Sequence, residues 1–235
     1  VIQTSDAAEA MNFADPDPAL FNLHLCELKA QGPAPAVWLN PANADEAAYI
    51  AKNGHRLSSV DEDKYQYFVI SATARKELKR ATNELHALFM HATDYVLQNP
   101  PVLDKFNLPP VIWPRLHQSW DNRRNQMVTG RFDFCMTEQG LKVYEYNADS
   151  ASCQMECGKI QGLWARRFGC EDGEDAGEDL FDQLVTAWEQ TEVDGLVHIL
   201  LDNDQEEMYH ALFMKSAMEQ AGIECKLVTA LAAKT

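Results

Sequence analysis

The longest regular pattern of apolar and polar positions begins at Ser71. Apolar residues recur there at spacings of three and four, with charged residues between them. This period places the apolar side chains on one face of a helix, and the pair Pro100-Pro101 cannot continue it. The pattern therefore predicts an amphipathic helix of about six turns. Its apolar face consists of Leu78, Ala81, Leu85, Leu88, Phe89, Ala92 and Val96.

A second pattern, with a period of two, occupies two short runs on either side of Glu138-Gln139-Gly140. The first run is RFDFCM, residues 131–136, and the second is KVYEYN, residues 142–147. Successive side chains of a strand point to opposite faces of its sheet, so the aromatic residues share one face and the acids and amide share the other. The two runs predict a β-hairpin with one polar face.

The register of this hairpin depends on the length of its turn. A three-residue loop with Gly140 in a left-handed conformation is a common connection. A loop of two or four residues would move Glu145 to the aromatic face, so the side-chain pattern favours three. The facing pairs are then Thr137 with Leu141, Asp133 with Glu145, and Arg131 with Asn147.

Directly opposed residues on a sheet have Cβ atoms about 4.5 to 5.5 Å apart, so Asp133 and Glu145 would repel each other. Three arrangements relieve this repulsion and remain open. The face is solvated or bridged by Arg131, one acid is protonated as in an acid and base pair, or the oxygens bind a divalent cation. Carboxylate and amide oxygens suit Mg²⁺, and Arg131 would add a fixed cation beside it.

Two small hydroxyl residues, Ser150 and Ser152, follow the hairpin directly before a helical pattern over 154–168. Either is a candidate N-cap, and backbone N–H groups at that point can hold a carboxylate or a phosphate. A cap without a ligand is an equally good interpretation. Cys153 is a weak candidate nucleophile, because no histidine lies near it in the sequence to act as a base.

The rest of the chain predicts a mixed α/β (α+β) fold. Residues 1–60 are rich in Ala, Asn, Asp and Pro, and residues 1–70 are predicted to be a linker with short peripheral helices. An acidic loop at 170–179 lacks the spacing of a calcium loop and leads into a helix through Trp188. A helix between two short apolar strands, at 196–201 and 223–228, predicts a parallel β-α-β unit.

The charge of the chain excludes some partners. There are 36 acids against 20 lysines and arginines, a formal charge of -16, so the surface would repel nucleic acid and anionic membranes. A metal ion or a cationic partner suits it better, although excess acid also serves solubility. The six cysteines form no regular framework and predict reduced thiols in a cytoplasmic protein. No apolar run approaches the roughly 18 residues of a membrane span.

Three stretches carry a resemblance to a known family. RFDFCMTEQGLKVYEYNADSASC, with VIWPRLHQSW before it and VHILLDNDQEEMYHALFM after it, resembles the synthetase domain of the glutathionylspermidine and trypanothione synthetases. The resemblance covers roughly residues 110–230. It implies an ATP-grasp-type ligase that uses ATP to join the glycine carboxylate of glutathione to an amine of spermidine. Trypanothione synthetase adds a second glutathione, with glutathionylspermidine as the acceptor.

The resemblance also implies roles for particular residues. The magnesium ligands of the family, holding two ions, fall on Asp133, Glu145 and Asn147. Its transition-state arginine falls on Arg131, and Arg131 and Asp133 would also contact ATP. Arg131 would neutralise an oxyanion as the amine attacks an acyl phosphate.

Substrate contacts fall on three further positions. Ser150 matches a serine that contacts glutathione, and Ser152 is a second candidate. Glu206 corresponds to a position that lines the substrate site, where a polyamine needs acids. Without the resemblance, Glu206 is simply an acid in the first turn of a helix, where acids are common.

The family also carries features that these residues lack. ATP-grasp enzymes close on the nucleotide with a lobe far beyond such a hairpin, and many family members carry an N-terminal amidase domain. We therefore expect residues 1–235 to be the N-terminal portion of a synthetase domain within a larger enzyme. Trypanothione synthetase is the first interpretation, glutathionylspermidine synthetase the second, and a non-catalytic metal-binding or polyamine-binding module the third.

Overall fold

The computed structural model describes residues 23–28, 37–56, 65–125, 129–137, 140–148, 152–170 and 173–229. These residues belong to two compact units. The first unit includes Tyr67–Leu108 and Phe132–Tyr146, and the second includes Pro109–Arg131 and Asn147–Thr235. The chain passes from one unit to the other at the base of the hairpin, between Arg131 and Phe132 and again after Tyr146.

The described residues form both α-helices and strands. The strands are β1 (Leu23–Leu28), β2 (Tyr65–Ile70), β3 (Gly130–Thr137), β4 (Gly140–Ala148), β5 (Val197–Leu201) and β6 (Cys225–Thr229). The helices are α1 (Ala44–Asn53), α2 (Ala72–Gln98), α3 (Pro100–Leu103), α4 (Trp113–Asp121), α5 (Gln161–Phe168), α6 (Leu180–Glu189) and α7 (Gln205–Gln220). A π-helical turn, Glu156–Ile160, precedes α5. The mixed α/β prediction is confirmed in this coarse form.

The long amphipathic helix of the first unit is confirmed as α2. Its N-cap is Ser71, whose hydroxyl accepts a hydrogen bond from the backbone N–H of Ala74 at 3.1 Å. The helix ends at Gln98, before the two prolines, as predicted. Its apolar face is only partly covered, since Leu88 is 59% exposed.

The predicted hairpin is present as a two-stranded sheet of β3 and β4. Gly140 has φ +95°, a positive value that a glycine at the end of a three-residue loop requires. The rings of Phe132 and Tyr146 stack with centroids 4.0 Å apart, and Phe89 of α2 lies against both. This stacking agrees with the predicted register, in which Phe132 lies directly opposite Tyr146.

The β-α-β prediction is also confirmed. β5 and β6 pair in parallel from Val197 opposite Cys225 to Leu201 opposite Thr229, with α7 between them in sequence. Gly222 ends the helical segment with φ +85°. Parallel neighbouring strands need a crossover of this kind, because the chain must return to the end of the sheet at which the first strand began.

The core of the second unit lies between α1, α6, α7 and the helix that begins at Gln154. Methionine and aromatic side chains from these elements fill it. The apolar pattern over 154–168 predicts Met155, Ile160, Leu163 and Trp164 on one side of a helix; three of them are buried and Leu163 is half-buried. The largest fully buried side chains are Tyr49, Phe213, Leu39, Met155, Ile160 and Met218.

Two predictions about local structure were wrong. Residues 1–70 contain β1 and β2, which pair with each other, in addition to the short helix α1. The sequence YQYFVI of β2 is aromatic and β-branched, a composition that favours a strand over a loop. The segment NLPPVIWPRLHQSWDNRRN predicts a turn through Pro114 and then a helix, but α4 begins at Trp113, because proline is tolerated in the first turn of a helix.

Two further observations concern the whole set of described residues. All six cysteines are free thiols, as predicted. Of the helices in the described ranges, none combines the length and the apolar character that a bilayer crossing requires.

Candidate active site around Arg131

The side chain of Arg131 is held at the turn that follows the hairpin. Its Nη1 atom donates a hydrogen bond to the Ser152 hydroxyl at 2.6 Å and lies 3.5 Å from the Cys153 sulfur. Cys153 has φ +69°, a left-handed conformation that is uncommon outside glycine. β3 and this turn thus bring together two residues, Arg131 and Ser152, that the sequence proposed separately as substrate contacts.

Ser152, a candidate N-cap, accepts a hydrogen bond from Arg131 and lies two residues before the next helix. Helical residues begin at Gln154, so Cys153 is the residue directly before the helix, and its carbonyl accepts from the N–H of Cys157 at 3.0 Å. Gln154 donates from Nε2 to the Thr129 hydroxyl at 3.0 Å, which ties the helix start to the residue before β3. Ser150, the other candidate, lies outside the described residues.

The proposed magnesium ligands lie on the two hairpin strands. Asp133 on β3 and Asn147 on β4 are half-buried, and Glu145 on β4 is exposed. Alternation along the strands puts all three on the face away from the stacked rings of Phe132 and Tyr146. Two carboxylates and an amide carbonyl are the hard oxygen donors that Mg²⁺ takes in proteins, so the chemistry of these residues fits the ion.

Two observations limit this assignment. Within the described ranges, no three or more His, Cys, Asp or Glu side chains cluster closely enough to hold a metal, and the proposed set has only two acids. The alternation is also not strict near the turn. By alternation, Cys135 lies on the face of Asp133 and Tyr144 lies on the face of Tyr146. The Cys135 thiol nevertheless hydrogen-bonds the exposed Tyr144 hydroxyl and raises the pKa of Tyr144.

Glu206 lies in the first turn of α7, as predicted, and its side chain is exposed. The N-cap of this helix is Asp204, whose carboxylate accepts from the N–H of Glu206 at 2.8 Å and is 3.3 Å from the Lys52 ammonium. Glu207 accepts a hydrogen bond from the N–H of Asp202 at 2.7 Å. Glu207 therefore caps the start of the helix, and within the described part of the chain the Glu206 side chain has no comparable hydrogen bond.

A protein-family model described as "Glutathionylspermidine synthase preATP-grasp" matches residues 38–233. The chain belongs to this family. The match begins well before residue 110, so the family pattern extends over α1 and α2 as well as over the motifs that first indicated it.

Curated relatives of this preATP-grasp chain carry ligase names. It is 41% identical over 231 residues to the bifunctional glutathionylspermidine synthetase/amidase of Escherichia coli strain K12, covering 98% of this chain and 37% of that protein. It is 34% identical over 198 residues to trypanothione synthetase of Crithidia fasciculata, covering 82% of this chain and 30% of that protein. The glutathionylspermidine synthase of the same organism is 35% identical over 165 residues, or 66% of this chain and 23% of that protein. The matched residues therefore span 37% of the length of the bacterial relative and less than a third of each of the other two.

The preATP-grasp chain also holds a buried polar cluster that local sequence patterns did not predict. Glu156 Oε1 accepts a hydrogen bond from the Tyr209 hydroxyl at 2.7 Å and lies 3.6 Å from His210 Nε2. Burial, followed by the hydrogen bond to Glu156, raises the pKa of Tyr209 above its ordinary value, while Asn53 opposes this shift. Burial also raises the pKa of the nearby Cys157 thiol, and the charges of Cys153 and Glu156 add to the effect.

A second buried cluster links α1 to the π-helical turn. The Lys159 ammonium lies 2.7 Å from Asp45 and 2.9 Å from Glu46, two acids that are almost fully buried. Burial alone would raise the pKa of Glu46, but hydrogen bonds from Asn40, Asn43 and Lys159 outweigh it and lower the pKa. The cluster borders a cavity of about 480 Å³ that Phe181, Phe213 and Ser216 also line. Its polar groups are paired with one another, which is the arrangement of a structural ion pair.

Proposed function

We propose that the protein to which these 235 residues belong is an ATP-dependent ligase that joins the glycine carboxylate of glutathione to an amine of spermidine. The observation that carries the proposal is the 41% identity to the Escherichia coli glutathionylspermidine synthetase/amidase over 98% of the chain. The contact between Arg131 and Ser152 supports it, because it joins two residues that the family resemblance assigns to substrate.

The proposed reaction runs through an acyl phosphate. A carboxylate oxygen of glutathione attacks the γ-phosphorus of ATP, and ADP leaves. The amine then attacks the acyl carbon, phosphate leaves with the former carboxylate oxygen, and the amine nitrogen loses a proton. Negative charge develops on the acyl oxygen during the second step, and the forked N–H donors of Arg131 stabilise it.

Ser152 has a positioning role in this scheme. Its hydroxyl accepts from Nη1 and so fixes the plane of the guanidinium that would stabilise a substrate oxygen. Ser152 and Ser150 are the candidate contacts for glutathione. Glu206, exposed at the start of α7, is the candidate contact for a polyamine ammonium group.

Asp133, Glu145 and Asn147 are the residues that would hold magnesium, as two ions in the family resemblance. Bound there, Mg²⁺ supplies positive charge that offsets the charge of the ATP phosphates. Asp133 and Arg131 are also the candidate ATP contacts on this chain.

A second candidate is trypanothione synthetase activity, in which glutathionylspermidine is the acceptor. The 34% identity to the Crithidia fasciculata trypanothione synthetase over 82% of the chain supports it. We rank it second because the identity and the coverage are both lower than for the bacterial relative.

The test is a product assay on the full-length protein. Glutathione, spermidine and Mg-ATP are supplied together, and ADP and the amide product are measured by mass spectrometry. We expect ADP release that depends on both glutathione and spermidine, with one glutathionylspermidine formed for each ADP. Repeating the assay with glutathionylspermidine as the acceptor tests the second candidate function, for which trypanothione is the expected product. Absence of nucleotide turnover would favour a non-catalytic binding module.

A further inference from the structure

The turn that contacts Arg131 is followed by two irregular backbone features. Cys153 has φ +69°, and the residues from Glu156 to Ile160 form a π-helical turn in place of regular α-helix. Both conformations are rare, and such features persist only where the surrounding structure holds them in place. Some contact must therefore hold this part of the chain.

The side chain of Glu156, the first residue of the π-helical turn, makes such a contact. It reaches α7, where the Tyr209 hydroxyl donates to Oε1 at 2.7 Å. Tyr209 is 3% exposed and His210 is 8% exposed, whereas the Glu156 side chain is 32% exposed, so the contact lies at the edge of the core of the second unit. The ring of Tyr49 packs edge-on against Tyr209 with centroids 5.1 Å apart, which restricts the position of the Tyr209 hydroxyl.

The cluster is poorly suited to a purely stabilising role. Glu156 Oε2 and His210 Nδ1 are buried, and neither has a hydrogen-bond partner within the described part of the chain. Leaving buried polar atoms unpaired destabilises a fold, whereas apolar side chains of similar shape avoid that cost. An acid at this position is better explained by the geometry it imposes on the turn beside it.

We propose that Glu156 is a positioning residue for Arg131. Its hydrogen bond to Tyr209 fixes the π-helical turn, the turn fixes Ser152 and Cys153, and these two residues hold the guanidinium. The proposal rests on the proposed function in one respect: the reaction served by Arg131 is ligation. Glu156 acts through Ser152 and contacts no reacting group itself.

The kinetic test compares Glu156→Leu, Glu156→Gln and Tyr209→Phe in the full-length protein. Gln keeps an acceptor oxygen for the Tyr209 hydroxyl and Leu does not, so Leu should lower kcat by about tenfold and Gln should restore most of it. Tyr209→Phe should resemble Leu. The matched control is Glu219→Leu, which removes an exposed acid of α7 paired with Lys215 and should leave kcat unchanged. Wild-type kcat in folded Glu156→Leu would overturn the proposal.

A double-mutant cycle separates positioning from a general loss of stability. If Glu156 acts through Ser152, adding Ser152→Ala to Glu156→Leu should cost little beyond either single change. Additive losses would instead indicate that the two residues act independently, which contradicts the proposal. If Glu156→Leu fails to fold by circular dichroism, the same cycle is made with Tyr209→Phe.

A second readout does not depend on ligase activity. The rate of Cys153 alkylation, measured by peptide mass spectrometry on the native protein, reports the geometry of the turn directly. We expect Glu156→Leu to lower this rate by about tenfold, because the thiol leaves the Arg131 cation and a neighbouring cation makes a thiol more reactive, and Glu219→Leu to leave it unchanged. An unchanged rate in Glu156→Leu would overturn the inference. If the wild type shows no ligase turnover, the proposed function fails, and the alkylation rates alone decide the inference.

Discussion

Arg131 donates a hydrogen bond from Nη1 to the Ser152 hydroxyl at 2.6 Å, although 21 residues separate them in the sequence. The contact joins the second residue of β3 to the turn before the helix at Gln154. A hydrogen bond from a charged donor is stronger than one between neutral groups and fixes the orientation of both side chains. The arginine is thereby held in place before any substrate is present.

Arg131→Lys should lower the kcat of ligation by about 10²- to 10³-fold, the usual loss when one donor to a developing oxyanion is removed. Lysine keeps the charge but has no planar fork that can bind Ser152 and a substrate oxygen together. The measurement is steady-state turnover of the full-length protein. Arg123→Lys is the control, because Arg123 lies over the Trp120 ring and has no proposed role in ligation. A decrease of less than threefold would contradict the role given to Arg131.

Ser152→Ala should lower kcat/KM for glutathione by about tenfold, since it removes the acceptor that orients the guanidinium. The matched control is Ser216→Ala, whose hydroxyl donates to the carbonyl of Leu212 in its own helix at 3.0 Å. Glutathione titrations at saturating ATP and spermidine give the comparison. Equal values of kcat/KM for Ser152→Ala and Ser216→Ala would contradict the positioning role of Ser152.

The elements with a regular local pattern of apolar residues were predicted well from the sequence. Helix α2 and the hairpin each have an apolar pattern of one period, the β5-α7-β6 unit has short apolar strands on either side of a helix, and turn residues such as Gly140 and Gly222 mark the ends of these elements. β2 was missed because six residues without alternation give a weak signal. Strand propensity alone was the only indication in YQYFVI.

The polar clusters could not be predicted from the sequence for a different reason. Glu156 and Tyr209 are 53 residues apart, and Lys159 and Asp45 are 114 residues apart. No local pattern relates such positions, because their contact depends on how α1, α7 and the helix at 154–168 pack together. The hydrogen bond between Arg131 and Ser152 was missed for the same reason, although both residues were named as candidates.

Asp133→Asn and Glu145→Gln should each abolish ligation at ordinary magnesium concentration and leave the fold intact. Each change removes a charged ligand and also relieves the repulsion between the two acids, so the free energy of unfolding should stay equal or rise slightly. Turnover is measured against magnesium concentration, with circular dichroism to check the fold. Glu219→Gln serves as the control for loss of one acidic charge. Wild-type turnover in either hairpin variant would contradict the metal assignment.

The cluster of Lys159, Asp45 and Glu46 predicts a loss of stability in acid. The pKa of Glu46 is lowered in the folded protein, so its contribution is complete above the ordinary value of 4.5 and is lost as the pH falls through the lower, folded-state pKa. Urea unfolding from about pH 7 to about pH 3 measures this dependence, and Glu46→Gln should flatten it.

Lys159→Met should destabilise the second unit by about 3 to 5 kcal/mol at neutral pH, because it leaves two buried acids without their cation. The same urea titrations provide the measurement. Lys52→Met, which breaks the exposed pair with Asp204, should cost no more than about 1 kcal/mol. Equal losses in the two variants would show that the buried cluster contributes no more than a surface ion pair.

Oxygen transfer tests the central claim most directly. Glutathione labelled with ¹⁸O in its glycine carboxylate is supplied to the full-length protein with spermidine and Mg-ATP, and the released phosphate is examined by mass spectrometry. Ligation through an acyl phosphate transfers one ¹⁸O to the phosphate for each amide formed, together with ADP. Unlabelled phosphate, or AMP in place of ADP, would contradict the account.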